Sequence, residues 1–307
     1  MIQSIAVRMY LLIVCALIIA PDIQAGSAGK NGFAMLKVDV DARAAAMAGA
    51  YTALAGDAAA AYWNPAGLTR AGQRSFIIMH NEWLADIRQE FAAFHFLQGK
   101  HHLAVSANLM TIPDIELRGR VPTLEPQGTT EAFTFAAALS YARIFKEYWQ
   151  VGLSLKYLFE KYYLENAPGW AIDLGVMKKD LLPNLDWGFS LQNVGRMSQL
   201  REVRTPLPLM IRNGFAYHYM IKKINRTIIL SNDLQYIHNE TFYFRLGGDL
   251  ALHDYLHVRL GWINGADDHH FTFGLGLNYA SYHFDYAFVS FDEAFGHSHR
   301  FSLGIHF

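Results

Sequence analysis

The chain closes on Arg300-Phe301-Ser302-Leu303-Gly304-Ile305-His306-Phe307. An apolar side chain stands at every second position. Side chains along a strand point alternately to opposite faces, so Phe301, Leu303, Ile305 and Phe307 make one apolar face, and Arg300, Ser302, Gly304 and His306 the other. The stretch predicts a strand whose greasy flank something else must cover.

The same period runs upstream. Val151, Leu153, Leu155, Tyr157 and Phe159 alternate with Gln150, Gly152, Ser154 and Lys156. Phe271, Phe273, Leu275, Leu277 and Tyr279 alternate with Thr272, Gly274, Gly276 and Asn278, and Tyr282, Phe284, Tyr286 and Phe288 with His283 and Asp285. About fourteen such segments begin near residues 74, 88, 101, 131, 149, 169, 186, 208, 226, 241, 255, 270, 281 and 298. Their period is two, which predicts strands rather than helices. A soluble sandwich and a barrel in lipid both alternate in this way. Connection lengths separate them, because membrane barrels carry longer loops on the outward side than on the periplasmic side. Alternate connections are brief here, at Gln98-Gly99-Lys100, Lys222-Lys223, His253-Asp254 and Ala280-Ser281. The others, Ile112 to Thr130, Glu160 to Pro168, Gly195 to Leu207 and Ala266 to His269, are expected to be the outward loops. A strand ending at the carboxyl terminus on an aromatic also resembles the closing strand of bacterial outer-membrane barrels, where Phe301, Leu303, Ile305 and Phe307 would serve as the signal read by the assembly machinery.

The amino terminus agrees with export. Met1 to Arg8 carries one cation, Met9 to Ala20 is an apolar core, and Ile23-Gln24-Ala25 places a small residue before an expected cleavage at Gly26. The apolar run is shorter than the roughly 20 residues a membrane helix needs. The single cysteine, Cys15, falls in this segment, which leaves the expected mature chain without thiol chemistry, disulfides or cysteine metal sites. Charges nearly cancel, 26 basic against 27 acidic, so no strong field draws in nucleic acid. Aromatic residues at 14% are high and charged residues at 17% low, against about 25% charged in an average soluble protein. Both deviations point toward lipid.

Between the expected signal and the strands the pattern changes. Ala42 to Ala61 is dominated by alanine, a strong helix former, with Arg43, Met47, Tyr51 and Leu54 near helical spacing. Gly56-Asp57 breaks the run. Trp63-Asn64-Pro65-Ala66-Gly67-Leu68 then predicts a turn, because proline removes a backbone donor and holds Asn64 in extended geometry.

These residues carry a resemblance. Phe33 to Ala50, Tyr51-Thr52-Ala53-Leu54-Ala55-Gly56-Asp57 and Tyr62-Trp63-Asn64-Pro65-Ala66-Gly67-Leu68 resemble the opening of the PorV/PorQ family of outer-membrane proteins, and Asp285 to Val289 with His299 to Phe307 resemble its end. Ala48 departs from the family, where glycine is common. That family is similar in turn to FadL-type fatty-acid transporters, which share the Asn-Pro-Ala turn and a fourteen-stranded barrel plugged by an N-terminal hatch. The resemblance implies a non-enzymatic protein: a docking barrel or shuttle for proteins exported to the cell surface, as in type IX secretion, or alternatively a FadL-like channel for hydrophobic small molecules.

The residues opposite the greasy faces weigh these roles. Lys156, Asp233, Gln235, Arg245, Asp249, His257, Arg259, His283 and Asp285 would line the lumen with both signs of charge, and glycines 152, 247, 261, 274, 276 and 304 on the same face leave room for a plug. An apolar channel would need an apolar pocket with few polar anchors, so docking comes first and the channel second. His297-Ser298-His299 and Asp267-Asp268-His269-His270 have metal-binding residue types but lack a third indicated ligand, and no metal or cofactor is expected. No Gly-x-Ser-x-Gly elbow occurs. The expectation is therefore an all-β outer-membrane barrel of about fourteen antiparallel strands over residues 72–307, a short helical hatch or plug over 26–71 with its turn at Trp63, Asn64, Pro65 and Gly67, and a removable signal over 1–25. Expected partners are outer-membrane lipid, the barrel assembly machinery and secretion components or exported proteins.

Overall fold

The computed structural model describes residues 31–121, 123–146, 148–266, 269–291 and 296–307. The expected signal, residues 26–30 of the expected hatch and the Asp267-Asp268 pair lie outside the described residues. Period-two segments become β1 (Ser75–Glu82), β2 (Arg88–Gln98), β3 (His101–Leu117), β4 (Gly128–Phe145), β5 (Trp149–Tyr162), β6 (Glu165–Leu182) and β7 (Leu185–Met197). After two short strands, β8 (Gln199–Leu200) and β9 (Val203–Arg204), come β10 (Met210–Ile221), β11 (Arg226–Ile237), β12 (Phe242–His253), β13 (Leu256–Asn264), β14 (His269–Tyr279), β15 (Tyr282–Phe291) and β16 (His297–His306).

Fourteen of these strands form one closed antiparallel barrel. The ring closes where β16 pairs with β1, from Ser75↔His306 to Glu82↔His299. Closure leaves no open edge and pairs the backbone polar groups within the wall, the condition for a sheet in hydrocarbon. The closing stretch behaves as its pattern predicts. Phe301, Leu303 and Phe307 face outward and are exposed, while Arg300 and Ser302 are buried inside.

The outer surface is banded. On β5 to β7, Trp149, Lys178 and Trp187 stand side by side at the mouth that also holds the two barrel ends, with the Lys178 ammonium 5.2 Å from the Trp149 ring centre. Three apolar rungs follow: Val151, Val176 and Phe189; Leu153, Leu174 and Leu191; Leu155, Ile172 and Val194. Tyr157, Trp170 and Arg196 cap the far side. At about 3.3 Å per residue and a tilt near 40°, the strip from Trp149 to Tyr157 is about 20 Å tall, close to the apolar band of a membrane barrel. No second sheet covers it; among the described residues the only other sheet is the β8–β9 pair.

Three local expectations change. The alanine-rich run is helical only at Ala42–Ala46 and Ala60–Trp63, with 3-10 turns at Ala34–Lys37 and Pro65–Arg70. Ala48 and Gly49 have φ of 52° and 72°, which end the first helix, and barrel side chains bind backbone groups that a longer helix would use. Thr272 Oγ1 accepts from the Ala48 N–H at 3.0 Å, and Asp233 Oδ2 from the Thr52 N–H at 3.0 Å. Second, Glu160 to Pro168 is no loop: β5 and β6 stay paired to Tyr162↔Glu165, so a β-hairpin projects there. Third, the connection from Ile112 to Thr130 is strand at both ends, since β3 and β4 pair up to Leu117↔Gly128, and the loop proper is shortened to residues 118–127.

Candidate functional site in the lumen and its wall

Residues 31–71 lie inside the barrel, almost wholly buried. Their anchor is Asn64. Its backbone is extended, φ −162° and ψ 104°, as the following proline requires, and its side chain caps the Pro65–Arg70 turn by accepting from the Ala66 N–H at 3.2 Å. The same amide donates to the carbonyls of Thr52 (3.1 Å), Phe189 (3.3 Å) and Val176 (3.4 Å), tying the segment to β6 and β7. Strand glycines let the turn approach so closely: a Cβ on Gly152 would overlap the Pro65–Ala66 peptide, and one on Gly175 the Asn64 Oδ1 atom. Gly67 is needed for a similar reason, since its Cβ would overlap the Ala55 carbonyl. Trp63 is fully buried, donates from Nε1 to the Val40 carbonyl at 3.1 Å, and lies edge-on to Tyr62 and Tyr51 with centroids at 5.3 and 5.8 Å.

The expected luminal polar residues all face inward, but they do not form one network. Lys156 meets Asp173 at 2.6 Å and donates to Asn193 at 2.8 Å. Asp233 accepts from both the hydroxyl and the N–H of Thr52, at 2.5 and 3.0 Å. Arg245 spans Asp39 (2.8 Å) and the Ala48 carbonyl (2.9 Å). Arg259 bridges Asp249 at 3.0 Å and Asp285 at 2.5 Å, and Asp249 also takes His257 at 2.7 Å and Arg43 at 3.4 Å. Gln192 donates to the Tyr62 and Trp63 carbonyls at 2.5 and 3.2 Å. Most of these bonds join strand to luminal segment, so the charges are satisfied by the segment as much as by one another.

Sequence reasoning missed Asp39, Thr52, Asp173, Gln192 and Arg212. Arg212 is fully buried with its guanidinium 4.6 Å over the Trp63 ring, a cation–π contact no strand pattern announces. Near the mouth with the barrel ends, a polar cavity of about 340 Å³ opens between Arg43, Asp57, His257, His283 and Asp285. Beside it Asp41 is held by its own N-cap bond to the Arg43 N–H at 3.2 Å. Burial, with the carboxylates of Asp57 and Asp285 nearby, raises the Asp41 carboxyl to about 7.

The wall carries a feature of opposite character. On its outer side β11 to β14 form an open apolar cavity of about 490 Å³ between Leu230, Leu246, Leu260, Trp262, Phe271 and Phe273. Gly248 makes the room, since it stands in the row Leu230↔Gly248↔Leu260 without a side chain. Directly behind are Gly247 and Gly261, which face Met47 and Ala48 of the luminal segment. Here bare backbone alone separates the cavity from the segment. Gly248 was not singled out in the sequence, because a glycine among outward apolar residues reads as any other strand position.

The metal candidates gain nothing. His299 faces outward and its Nδ1 lies 2.9 Å from the Tyr286 hydroxyl, and among the described residues no three metal-ligating side chains cluster.

A model of an uncharacterised protein family, UPF0164, matches residues 14–166. No curated protein matches the sequence. Among solved structures, the chain is similar to the deltaS2 mutant of the TodX monoaromatic hydrocarbon channel, with a TM-score of 0.54 and 10% identity over 86% of this chain and 96% of that one. The TodX deltaS2S3 mutant gives 0.53 and 9%, over 80% and 93%. The Acinetobacter baumannii outer membrane protein Omp33 gives 0.45 and 13%, over 76% and 98%. At these identities the likeness is one of fold.

Proposed function

We propose that this chain is a non-enzymatic outer-membrane barrel that passes small hydrophobic molecules, with its N-terminal segment as the gate. Residues 1–25 are its export signal, 26–71 the hatch and 72–307 the barrel, delivered to the outer membrane through the terminal strand signal of Phe301, Leu303, Ile305 and Phe307. The carrying observation is the apolar cavity of about 490 Å³ backed by Gly247 and Gly261 against Met47 and Ala48. It supplies the apolar pocket with few polar anchors that the luminal charges alone withhold. Fold likeness to a hydrocarbon channel over nearly all of that channel's length supports the same reading. It therefore ranks above the docking role that the inward-facing charges favour in the sequence.

The test is uptake of a hydrophobic fluorescent probe by cells of an outer-membrane-bearing host with and without the protein. Gly248→Phe is directed into the cavity, a Cβ there meets only ordinary contacts at 3.9 Å or more, and unheated gel mobility checks that the variant barrel is folded. Several-fold faster uptake with the wild type, reduced by Gly248→Phe, is expected; equal uptake with and without the protein defeats the reading.

The second reading is a PorV-type docking barrel for exported proteins, in which the lumen stays shut. It is favoured by the projecting β3–β4 hairpin, whose strands remain paired as far as Leu117↔Gly128. Pull-down from native membranes that recovers an exported protein or a secretion component, lost on shortening residues 118–127, would support it over the channel.

A further inference from the structure

A second cavity, of about 500 Å³, lies on the outer flank of β6 and β7 and is lined by Tyr157, Pro168, Trp170, Arg196, Ser198 and Arg204. Its height is fixed by register. Tyr157, Trp170 and Arg196 form one lateral row immediately beyond the apolar rung Leu155, Ile172 and Val194. This is where hydrocarbon gives way to headgroups, on the side opposite the chain ends, and aromatic rings with cations mark such interfaces. Arg204 reaches the cavity from β9, which the β8–β9 hairpin holds over the rim.

The charges here are unbalanced. No acidic residue lines the cavity. Arg201, in the same hairpin, is neutralised by Glu165 at 2.7 Å, whereas neither Arg196 nor Arg204 has a side-chain ion pair or hydrogen bond among the described residues. Two arginines lining one cavity with Tyr157 and Trp170 suit a phosphate, which accepts paired N–H donors, and the neighbouring apolar rung suits an acyl chain.

We propose that this cavity binds the phosphate headgroup of a lipid in the outward-facing leaflet, with Arg196 and Arg204 on the phosphate and the acyl chain along Leu155, Ile172 and Val194. The site rests on the membrane placement of the barrel but not on what the lumen carries. It gives the β6–β7 side of the wall a fixed lipid neighbour.

The test uses the full mature chain purified in a non-ionic detergent. Phosphatidylglycerol, or diacylglycerol with the same acyl chains, is titrated in and bound lipid is counted by native mass spectrometry. At least tenfold preferential retention of one phosphatidylglycerol is expected, falling to the diacylglycerol level in Arg196→Gln/Arg204→Gln. Unheated gel mobility confirms that the variant barrel is folded, and the wild-type comparison of the two lipids stands even if it is not. Equal retention of both lipids by the wild type overturns the proposal, as does unchanged retention by the folded variant. Millimolar inorganic phosphate is a third arm: it should compete weakly, and full displacement of the lipid would identify a free-phosphate site instead. Detergent-free solubility of the chain would refute the membrane placement itself, an outcome distinct from any of these.

Discussion

Asn64 concentrates much of the internal architecture, since one amide caps a turn and reaches three separate carbonyls. Replacing it by alanine leaves buried groups on both sides without partners. Loss of a cap and of buried hydrogen bonds costs about 1 to 3 kcal/mol, so Asn64→Ala is expected to lower the urea midpoint of the folded barrel by a corresponding amount. Gel-shift unfolding checks this, and Asn64→Asp, which keeps the capping acceptor but turns a buried carboxylate oxygen toward three carbonyls, should recover none of the loss. The turn was legible in the sequence from Asn64-Pro65 alone. Its partners were not, because Val176 and Phe189 lie more than a hundred residues away and contribute backbone carbonyls. Asp41 adds a pH dependence. Its carboxyl sits at about 7 in the folded protein against 3.8 ordinarily, so between those values the folded state holds a proton that the unfolded chain has released. Its contribution therefore favours folding at low pH and is lost as pH rises toward 7. Asp41→Asn should flatten that part of the dependence, measured as urea midpoints at pH 4.5 and 7.5; the wild-type difference persisting unchanged in the variant would refute the assignment.

The strands were the most legible elements, because period two survives any tertiary context in which one face meets lipid and the other a polar interior. Segments foreseen near residues 149, 226, 255 and 281 begin at Trp149, Arg226, Leu256 and Tyr282. Within the expected loop Gly195 to Leu207, the hairpin of β8 and β9 was not legible. Its β8–β9 pairing needs only Gln199↔Arg204 and Leu200↔Val203, too few residues to show a period. The alanine run misled for a different reason. Helix propensity is worth only tenths of a kcal/mol per residue, and in the lumen the side chains of Thr272 and Asp233 bind backbone N–H groups directly. At the closing element, Phe307 donates its N–H to the Arg74 carbonyl at 2.9 Å and stacks on Phe94 with centroids 6.0 Å apart. Those contacts are modest. If the terminal aromatic acts chiefly as an assembly signal, deleting Phe307 should cut the folded fraction in the outer membrane several-fold while refolding into detergent micelles is nearly unchanged. An equal loss in both settings would make the residue structural.

At the scale of the whole molecule, the question is whether residues 31–71 move. Arg245–Asp39, Asp233–Thr52 and the Gln192 and Asn64 amide bonds are polar links that water could replace, whereas the barrel ladder is continuous around the ring. A gate that opens must therefore be the segment, not the wall. A disulfide can decide this cleanly, since the only cysteine of the chain, Cys15, lies in the expected signal. A Cβ on Gly214 would stand 3.2 Å from the Thr52 Cβ, near the roughly 3.5 to 4.5 Å that a disulfide spans, but also 2.1 Å from the Asp233 Oδ1 atom, so Asp233→Ala must clear the space and, alone, is the control. In that background Thr52→Cys/Gly214→Cys should lock the segment to β10 when oxidised. Probe uptake is expected to fall to the level of cells lacking the protein, and to return when a reductant opens the bond. Uptake that continues through the oxidised barrel would mean that solutes pass without the segment moving, and capture of an exported protein by the locked form would favour a barrel that works closed.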